Sequence, residues 1–186
     1  MILPIYIYGQ PILRKETKDI SPDYPNLKGL IENMFETMYN ADGVGLAAPQ
    51  IGLEDRILVV DLSPLADSDP SFNNFKKAFI NARIVESDGE EVNVEEGCLS
   101  IPNIHEKVSR KNRIRIQYLD ENLIPRDEVY EGYKARVIQH EYDHLDGILF
   151  VDHLPGIRKQ MIRSKLNKML KGDIQCHYKI KPVLKK

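Results

Sequence analysis

Apolar residues recur at every third or fourth position in three segments of the chain, and this period predicts three helices. The first helix covers residues 27–38, and Asn26 directly before it is a residue type that commonly caps a helix. The second covers residues 133–146 and is closed by Gly147. The third covers about residues 156–171, with its basic residues facing outward. Its apolar residues, which we expect to face inward, are Ile157, Met161, Leu166, Met169 and Leu170.

Between the first two helices the pattern changes to alternation and short apolar runs, which are typical of strands. The predicted strands cover residues 56–61, 77–85, 90–95, 113–119 and 128–131. Ser87, Asp88 and Gly89 predict a turn between two of these strands, and the polar residues 62–75 predict a loop. Strands in the middle of the chain, flanked by helices, indicate an α+β fold with mostly antiparallel pairing.

Composition places the chain among ordinary globular proteins. Of its 186 residues, 42% are hydrophobic and 29% are charged, with a net charge of −2, which excludes a disordered chain and a wholly basic nucleic-acid binder. No apolar run approaches the roughly 20 residues that span a bilayer, so we expect a cytoplasmic protein without a membrane partner. In a reducing cytoplasm, a special role for either of the two cysteines is catalysis or metal binding.

The charge is unevenly distributed along the chain. Residues 157–186 contain ten Lys or Arg residues and one Asp, whereas residues 1–156 are acidic overall. The basic end is either a solubilising tail or a surface that binds phosphate groups. We expect residues 1–155 to form a single catalytic domain, with the basic helix and tail at 156–186 as part of it.

The strongest local motif is His140-Glu141-Tyr142-Asp143-His144 in the second predicted helix. Residues four apart share a helix face, so the two imidazoles could bind one metal ion with Glu141 beside them for proton transfer. The alternative is a pair of polar histidines on an ordinary amphipathic helix. We therefore predict that this helix binds the metal and that the mostly antiparallel strands surround it.

A catalytic zinc-type site needs a third protein ligand. Two common metalloprotease solutions fail here, because Phe150 occupies the position of a third histidine and no Glu follows Glu141. His153 and Asp152 remain candidates, although they follow the helix closely. Cys98 is a better candidate, because it lies in a Gly-flanked loop after a strand and a thiolate is a strong ligand. Its alternative role is that of a small core residue.

The other cysteine offers a competing ligand near the C-terminus. Cys176 is followed directly by His177, and both residue types bind metals. We favour Cys98, because Cys176 lies in the basic tail and has no loop motif around it.

A third segment with chemical potential is the Gly-rich stretch at residues 43–52. Its glycines allow the backbone to approach a ligand, and no Lys-Ser/Thr pair follows them as in a phosphate-binding loop. Gln50 is the polar side chain among apolar neighbours. It is either a loop residue with local hydrogen bonds or a donor to an oxyanion.

Together, these three segments resemble the motifs of the peptide deformylase family. The matching segments are the Gly-rich loop at 43–50, the Glu-Gly-Cys-Leu-Ser loop at 96–100 and the His-Glu helix at 140–144. The resemblance covers roughly residues 1–155. It implies a hydrolase that removes the N-formyl group from the initiator methionine of nascent chains, releasing formate and a free amine.

The resemblance also implies roles for individual residues. The implied ligands of one divalent metal ion are Cys98, His140 and His144. The ion would be Fe²⁺ in the cell, with Zn²⁺ or Ni²⁺ able to occupy the same site, and such an ion lowers the pKa of its water to about 7. Glu141 would transfer protons, the Gln50 side chain and the Leu99 backbone N–H would stabilise the oxyanion, and Gly45 would pair with the substrate backbone.

The methionine side chain of such a substrate needs an apolar pocket. Tyr133, Arg136 and Val137 share a helix face with His140, because they are spaced three or four residues apart. With Val44 from the Gly-rich loop, Tyr133 and Val137 are candidate pocket walls, and Arg136 is expected at the rim. The alternative is that each of them is an ordinary core residue.

The resemblance gives the basic end a candidate partner, because the family's C-terminal extension can dock on ribosomes. The residues that would meet ribosomal RNA are Arg158, Arg163, Lys165, Lys168 and Lys171. Two other hypotheses remain open at this point. One is a metallo-endopeptidase built on the same two histidines, and the other is an RNA- or ribosome-binding protein whose structural metal has Cys176 or His177 as a fourth ligand.

Overall fold

Helices are present at the three predicted places in the computed structural model, which describes residues 1–183. They are Leu27–Asn40 (α1), Gly132–Leu145 (α2) and Gly156–Leu170 (α3). Lys185 and Lys186 of the predicted basic tail lie outside the described residues. Every helix within residues 1–183 falls short of the length and apolar character that a membrane crossing requires.

The strands of the described chain form a five-stranded sheet and a separate two-stranded pair. In chain order they are Ile5–Tyr6 (β1), Gly45–Ala47 (β2), Ile57–Asp61 (β3), Lys76–Cys98 (β4), Ile101–Leu119 (β5), Pro125–Glu131 (β6) and Ile180–Lys181 (β7). The five-stranded sheet is antiparallel with the order β2-β3-β4-β5-β6, and β1 pairs in parallel with β7. The predicted α+β fold with mostly antiparallel strands is confirmed.

The predicted turn at residues 87–89 is wrong. β4 continues through this segment and pairs with β5 on both sides of it. Gly89 has a φ of +79°, and register shifts of the ladder occur between Ile84 and Glu86 and between Asp88 and Glu91. The extra residues form β-bulges, which absorb a polar segment that contains Gly without ending the strand.

The start of β5 was also missed by the hydrophobic pattern. In the first half of this strand, Ile104, Glu106, Val108 and Arg110 are buried at alternate positions. Two of these four residues are charged, so the period of two is hidden when only apolar residues are counted. β5 therefore begins at Ile101, well before the predicted strand at 113–119.

Packing of α2 against the sheet determines where the candidate site lies. Ala135, Ile138 and Leu145 of α2 are fully buried, and they share a core cluster with Phe79 and Ile116 of the sheet. Full burial of one such large apolar side chain contributes roughly 1.5–3 kcal/mol. This packing holds α2 firmly, so the histidines elsewhere on the helix occupy defined positions.

The predicted inward face of α3 is largely wrong. Ile157 and Met161 are 66% and 63% exposed, and Leu170 is also exposed, whereas Ile162 and Met169 are buried. Residues 162 and 169 are seven apart, which is nearly two helical turns, so they share a face. Residues 157 and 161 are four apart and share a different, exposed face. Because α3 carries apolar residues on two faces, its periodicity does not show which face meets the core.

Asn26 occupies the predicted N-cap position of α1, but its side chain does not cap the helix. Its backbone is left-handed, with φ 52° and ψ 41°, and its side chain makes no capping hydrogen bond. The side chain lies over the first turn instead, so close to Gly29 that a Cβ there would be 2.5 Å from the Asn26 amide nitrogen. The residue type therefore predicted where the helix begins but not how it begins.

The predicted loop at residues 62–75 is packed against the body of the protein. It contains two short 3₁₀ turns, Ser63–Leu65 and Pro70–Phe72. Phe72 and Phe75 are buried, and the Phe72 ring packs on Tyr133 of α2 with 6.0 Å between ring centroids. The loop is therefore a wall beside α2.

Candidate metal centre

Three residues that are distant in the sequence bring their potential metal ligands together. Cys98 ends β4, and His140 and His144 lie one turn apart on α2. Within residues 1–183 the Cys98 Sγ atom and one nitrogen of each histidine lie within 4.8 Å of one another. The Cys98 Sγ atom is 3.3 Å from His144 Nε2. The structure thus brings together the three residues that the motifs suggested as ligands.

A buried carboxylate orients the first of the two histidines. Glu96 accepts a hydrogen bond from His140 Nδ1 at 2.8 Å, which leaves Nε2 of this ring free to bind a metal. Arg110 and Arg136 donate to the same carboxylate, each at 2.7 Å from Glu96 Oε2. All four side chains are buried, so the two arginines compensate the negative charge of Glu96 inside the protein.

These contacts determine the charge of the carboxylate and of the two imidazoles. Although burial opposes the shift, hydrogen bonds with His140 and Arg110 hold the pKa of Glu96 well below its usual range. Burial lowers the pKa of His140, but hydrogen bonds with Cys98 and Glu96 outweigh it and raise that pKa well above the ordinary value. Burial, followed by the charge of His140, lowers the pKa of His144 well below its ordinary value. The neutral imidazole favoured at His144 is the form that binds metals.

Arg136 does not lie at the rim of a substrate pocket, as the helix spacing suggested. Its guanidinium is buried and also donates to the backbone oxygens of Val108 and Val92, at 2.8 and 2.5 Å. The long side chain therefore crosses to the β4–β5 ribbon, where Glu96 attracts it. The buried acid on β4 outweighs the tendency of Arg to reach for solvent.

Glu141 points toward the cavity beside the three donor atoms. Its Oε2 atom is buried and has no hydrogen-bond partner among residues 1–183. A Cβ atom at Gly45 would lie 2.5 Å from Glu141 Oε1, so only glycine allows this close approach of β2 to the carboxyl group. Burial raises the pKa of Glu141 to about 7, and a carboxyl group that titrates near neutrality can both accept and return a proton.

The amide of Gln50 is oriented by its own 3₁₀ turn. The Ala47 N–H donates to Gln50 Oε1 at 2.8 Å, so the amide NH₂ faces the other way. This NH₂ group lies 3.2 Å from Ser100 Oγ and 3.6 Å from Cys98 Sγ. Gln50 is therefore a buried donor beside the candidate metal ligands, held in place by local hydrogen bonds.

A cavity of about 690 Å³ opens at this centre. Cys98, His140 and Glu141 line it. So do Leu99, Val44, Gly45, Tyr133 and the loop residue Leu65. Among the described residues Val137 is not part of this lining, because it is buried in the core cluster between α2 and the sheet.

The competing third ligands are engaged elsewhere. His153 Nε2 is 2.7 Å from Asp143 Oδ2, and Asp152 pairs with Arg14. Cys176 contributes its thiol to a contact of 3.4 Å with the Tyr178 backbone oxygen. The metal-binding group found within residues 1–183 contains none of these alternatives.

The donor set fits a divalent metal ion. One thiolate and two imidazole nitrogens are present, with a carboxylate behind the first imidazole and a cavity on the open side. Catalytic metal sites typically combine three protein ligands with one open position. The residues that would hold the ion are Cys98, His140 and His144.

A family model described as Polypeptide deformylase matches residues 2–160. The chain belongs to the peptide deformylase family. The resemblance inferred from the three motifs is confirmed, and with it the prediction of a deformylase-type enzyme. Deformylases are metal-dependent hydrolases of protein biosynthesis, which agrees with the donor set at the centre of the cavity.

Curated deformylases of two flavobacteria are similar to the chain over nearly its whole length. The Flavobacterium johnsoniae protein is 50% identical, and the alignment covers 97% of this chain and 96% of that protein. The Flavobacterium psychrophilum protein is also 50% identical, with 100% of both chains covered.

Solved deformylase structures share the fold. The Thermus thermophilus enzyme is 41% identical with a TM-score of 0.80, covering 90% of this chain and 97% of that chain. The Plasmodium falciparum enzyme is 36% identical with a TM-score of 0.81, covering 90% of this chain and 95% of that chain.

Sequence reasoning missed the charged network behind the deformylase motifs. Glu96 was part of a recognised motif, but its contact with His140 was not foreseen. Arg110 also donates to Asp143 of α2 at 2.8 Å, which joins β5 to the metal-binding helix. The position of Asp143 inside the histidine motif was the one sequence signal for this contact. The residues around Arg110 contain no motif that would identify it as the partner of Asp143.

Proposed function

We propose that this chain hydrolyses the formyl amide at the N-terminus of N-formyl-methionyl peptides, releasing formate and a free amine. Membership of the deformylase family supports this substrate class. The observation that carries the proposal is the buried Glu141 Oε2, which has no partner within residues 1–183 and borders one cavity with Cys98, His140 and Gly45. A buried carboxyl group without a hydrogen-bond partner, beside the potential metal ligands, is free to exchange a proton with the substrate.

The ligand set is suited to Fe²⁺, and we propose Fe²⁺ as the ion in the cell, with Zn²⁺ or Ni²⁺ able to replace it. When bound, such an ion supplies Lewis-acid activation of water near neutral pH. Behind it, Glu96 keeps the His140 ring in the orientation that presents Nε2.

Glu141 is proposed to transfer the proton. It would accept a proton from the attacking water as the new C–O bond forms at the formyl carbon. It would then give a proton to the amide nitrogen as the C–N bond breaks, so that formate and an amine leave. Its burial and lack of a partner support both steps, because no hydrogen bond has to be broken first.

Negative charge develops on the formyl oxygen during this attack and needs donors. The Gln50 amide NH₂, directed away from the Ala47 N–H that orients it, would be one donor. The backbone N–H of Leu99, in the turn after Cys98, would be the other. Loss of one such donor lowers the rate by roughly 10²–10³ in other enzymes.

The methionine would be held by the cavity walls near α2. Gly45 would pair with the substrate backbone, and Val44, Tyr133 and the neighbouring Leu65 would contact the side chain. Val137 supports this wall from the core, and Arg136 contributes through Glu96 and not through the substrate.

The experiment that tests the proposal is formate release from an N-formyl-methionyl tripeptide by protein purified without oxygen. The N-acetyl peptide serves as the control substrate. We expect formate from the formyl peptide only, its loss on chelation, and its recovery with Fe²⁺ or Ni²⁺. A folded, metal-loaded protein that releases no formate would overturn the proposal.

We also propose that α3 contacts ribosomal RNA where the nascent substrate emerges, which places the protein in the cytoplasm. Arg158 is exposed but pairs with the buried Glu106 at 2.6 Å, so its charge is partly compensated within the protein. The exposed residues left for phosphate contact are Arg163, Lys165, Lys168 and Lys171. Replacing Lys165 and Lys168 with Glu should weaken cosedimentation with ribosomes and reduce its salt dependence. Unchanged cosedimentation at low salt would contradict this contact.

A further inference from the structure

We propose that the segment 175–178, which follows α3, forms a subsite for the substrate residues beyond the formyl-methionine. This inference rests on the proposed function, and it assigns a role to a region outside the 2–160 range of the family match. Cys176, His177 and Tyr178 line the same cavity as Glu141, Cys98 and His140. The C-terminal segment is therefore part of the active-site wall.

The segment is held in place by hydrogen bonds to its backbone oxygens. The Ile5 N–H donates to the Lys179 backbone oxygen at 2.9 Å, at the start of the β1–β7 pair. Asn103 Nδ2 donates to the Gln175 backbone oxygen at 3.2 Å. Gln10 Nε2 donates to the Pro182 backbone oxygen at 2.7 Å. Contacts on both sides of the cavity-lining residues define their position.

Side chains of the segment alternate between the core and the cavity mouth. Tyr178 is buried, and Cys176 and Ile180 pack with it against the core cluster that contains α1. His177 and Lys179 between them are exposed. Every second side chain from Cys176 to Ile180 therefore packs on the core, and His177 is left at the cavity mouth.

Two contacts connect the segment to the catalytic loops. The Tyr178 hydroxyl donates to the Leu99 backbone oxygen at 2.7 Å, directly after the proposed oxyanion donor. His177 Nε2 lies 3.0 Å from Asp42 Oδ2, on the loop that leads to Gly45. The segment thus bridges the two loops that would lie on either side of a bound peptide.

The position of this bridge suggests which part of the substrate it meets. Val44 and Leu65 pack with the core cluster of α2 and the sheet, whereas Cys176 and Tyr178 pack with the cluster of α1. If the methionine side chain packs against Val44 and Leu65, the residues that follow it in an extended peptide would meet Cys176 and Tyr178. The His177–Asp42 pair is mostly exposed and therefore weak, so a peptide can displace it.

The test compares two substrates, formyl-methionyl amide and an uncharged formyl-methionyl tetrapeptide amide, on variants of the full chain. His177→Ala removes a cavity side chain without disturbing the core, and Tyr178→Phe removes only the hydroxyl contact with Leu99. Each should lower the preference for the tetrapeptide over the short amide by about threefold to tenfold, the effect of one lost contact. The change should appear in KM for the tetrapeptide, because these residues position substrate and do not touch the reacting atoms.

Lys179→Ala is the matched control, because it changes an exposed neighbour outside the cavity lining and keeps the backbone bond to Ile5. It should leave the preference unaltered. An unchanged preference in both His177→Ala and Tyr178→Phe, or an equal loss on both substrates through kcat, would overturn the subsite. Formate release from neither substrate by the unaltered chain would instead overturn the proposed function and the subsite with it.

Discussion

The helix α2 and the C-terminal segment at 156–183 border the same cavity, but they are held in place in different ways. On α2, nine of the fourteen residues are buried, including five with polar or charged side chains. On α3, Ile162 and Met169 are the buried residues, and the strand after the helix is held by backbone hydrogen bonds. Arg136 and His140 of α2 pair with Glu96 inside the protein, whereas the polar residues of α3 mostly meet solvent.

This difference determines how strongly each region is restricted to one packing arrangement. A buried charge such as Glu96 is stable only with its partners, so one arrangement of α2 against the β4–β5 ribbon is strongly favoured. An exposed Lys on α3 makes no such demand, because water solvates it in any orientation. We therefore expect substitutions around α2 to change metal binding, catalytic activity and the free energy of unfolding. Substitutions on the exposed face of α3 should change these three quantities little.

The largest expected effect separates the two cysteines: Cys98 lies beside the histidines of α2, and Cys176 lies in the C-terminal segment. Cys98→Ser should lose the bound metal and with it formate release, because a hydroxyl is a much poorer ligand than a thiolate. Cys176→Ser should retain the metal, since its thiol contacts the Tyr178 backbone oxygen. Metal content of the purified proteins measures both. Loss of metal from Cys176→Ser would contradict the ligand assignment.

Glu141→Ala should lower kcat/KM for a formyl-methionyl peptide by about 10²–10⁴-fold, because proton transfer to and from the substrate is lost. The metal should remain bound, since Glu141 is not part of the group of three potential ligands. Glu121→Ala, at an exposed turn, serves as the control and should keep full activity. A Glu141→Ala protein that lost its metal would point to a ligand role instead.

Glu96→Ala should lower the free energy of unfolding by about 3–5 kcal/mol, because Arg110 and Arg136 would be left buried without their shared carboxylate. The neighbouring Glu95 is exposed, so Glu95→Ala should change the same quantity by less than about 0.5 kcal/mol. Denaturant unfolding of both variants makes the comparison. Equal effects at the two positions would show that the buried network contributes no net stability.

The smallest effect concerns the two faces of α3. Ile162→Ala should cost about 2–5 kcal/mol of unfolding free energy, because it leaves a cavity in the core. Ile157→Ala, on the face that is 66% exposed, should cost less than about 0.5 kcal/mol. Thermal unfolding of the two variants compares the faces directly. The reverse order would mean that Ile157 is covered in solution.

Much of this molecule could be predicted from the sequence, because the relevant signals are local. The period of apolar residues predicted where α1, α2 and α3 lie, and alternation predicted antiparallel strands. The spacing of His140 and His144 on one helix face depends only on helix geometry, so it was visible before any tertiary contact was known. Cys98 was predicted as the third ligand from its residue type and its Gly-flanked segment. In the structure its sulfur lies beside the two histidines.

Other features depended on which partner each segment meets, and only the tertiary structure decided them. Gly89 lies in a bulge because β5 pairs on both sides of it, although the same residues form a turn in other settings. Arg136 of α2 is buried because it pairs with Glu96 of β4. Ile162 is buried and Ile157 is exposed because the core lies on the Ile162 side of α3. The C-terminal segment is held beside the cavity by Ile5, Gln10 and Asn103, which donate to its backbone oxygens from distant parts of the sequence and leave no local pattern around Cys176.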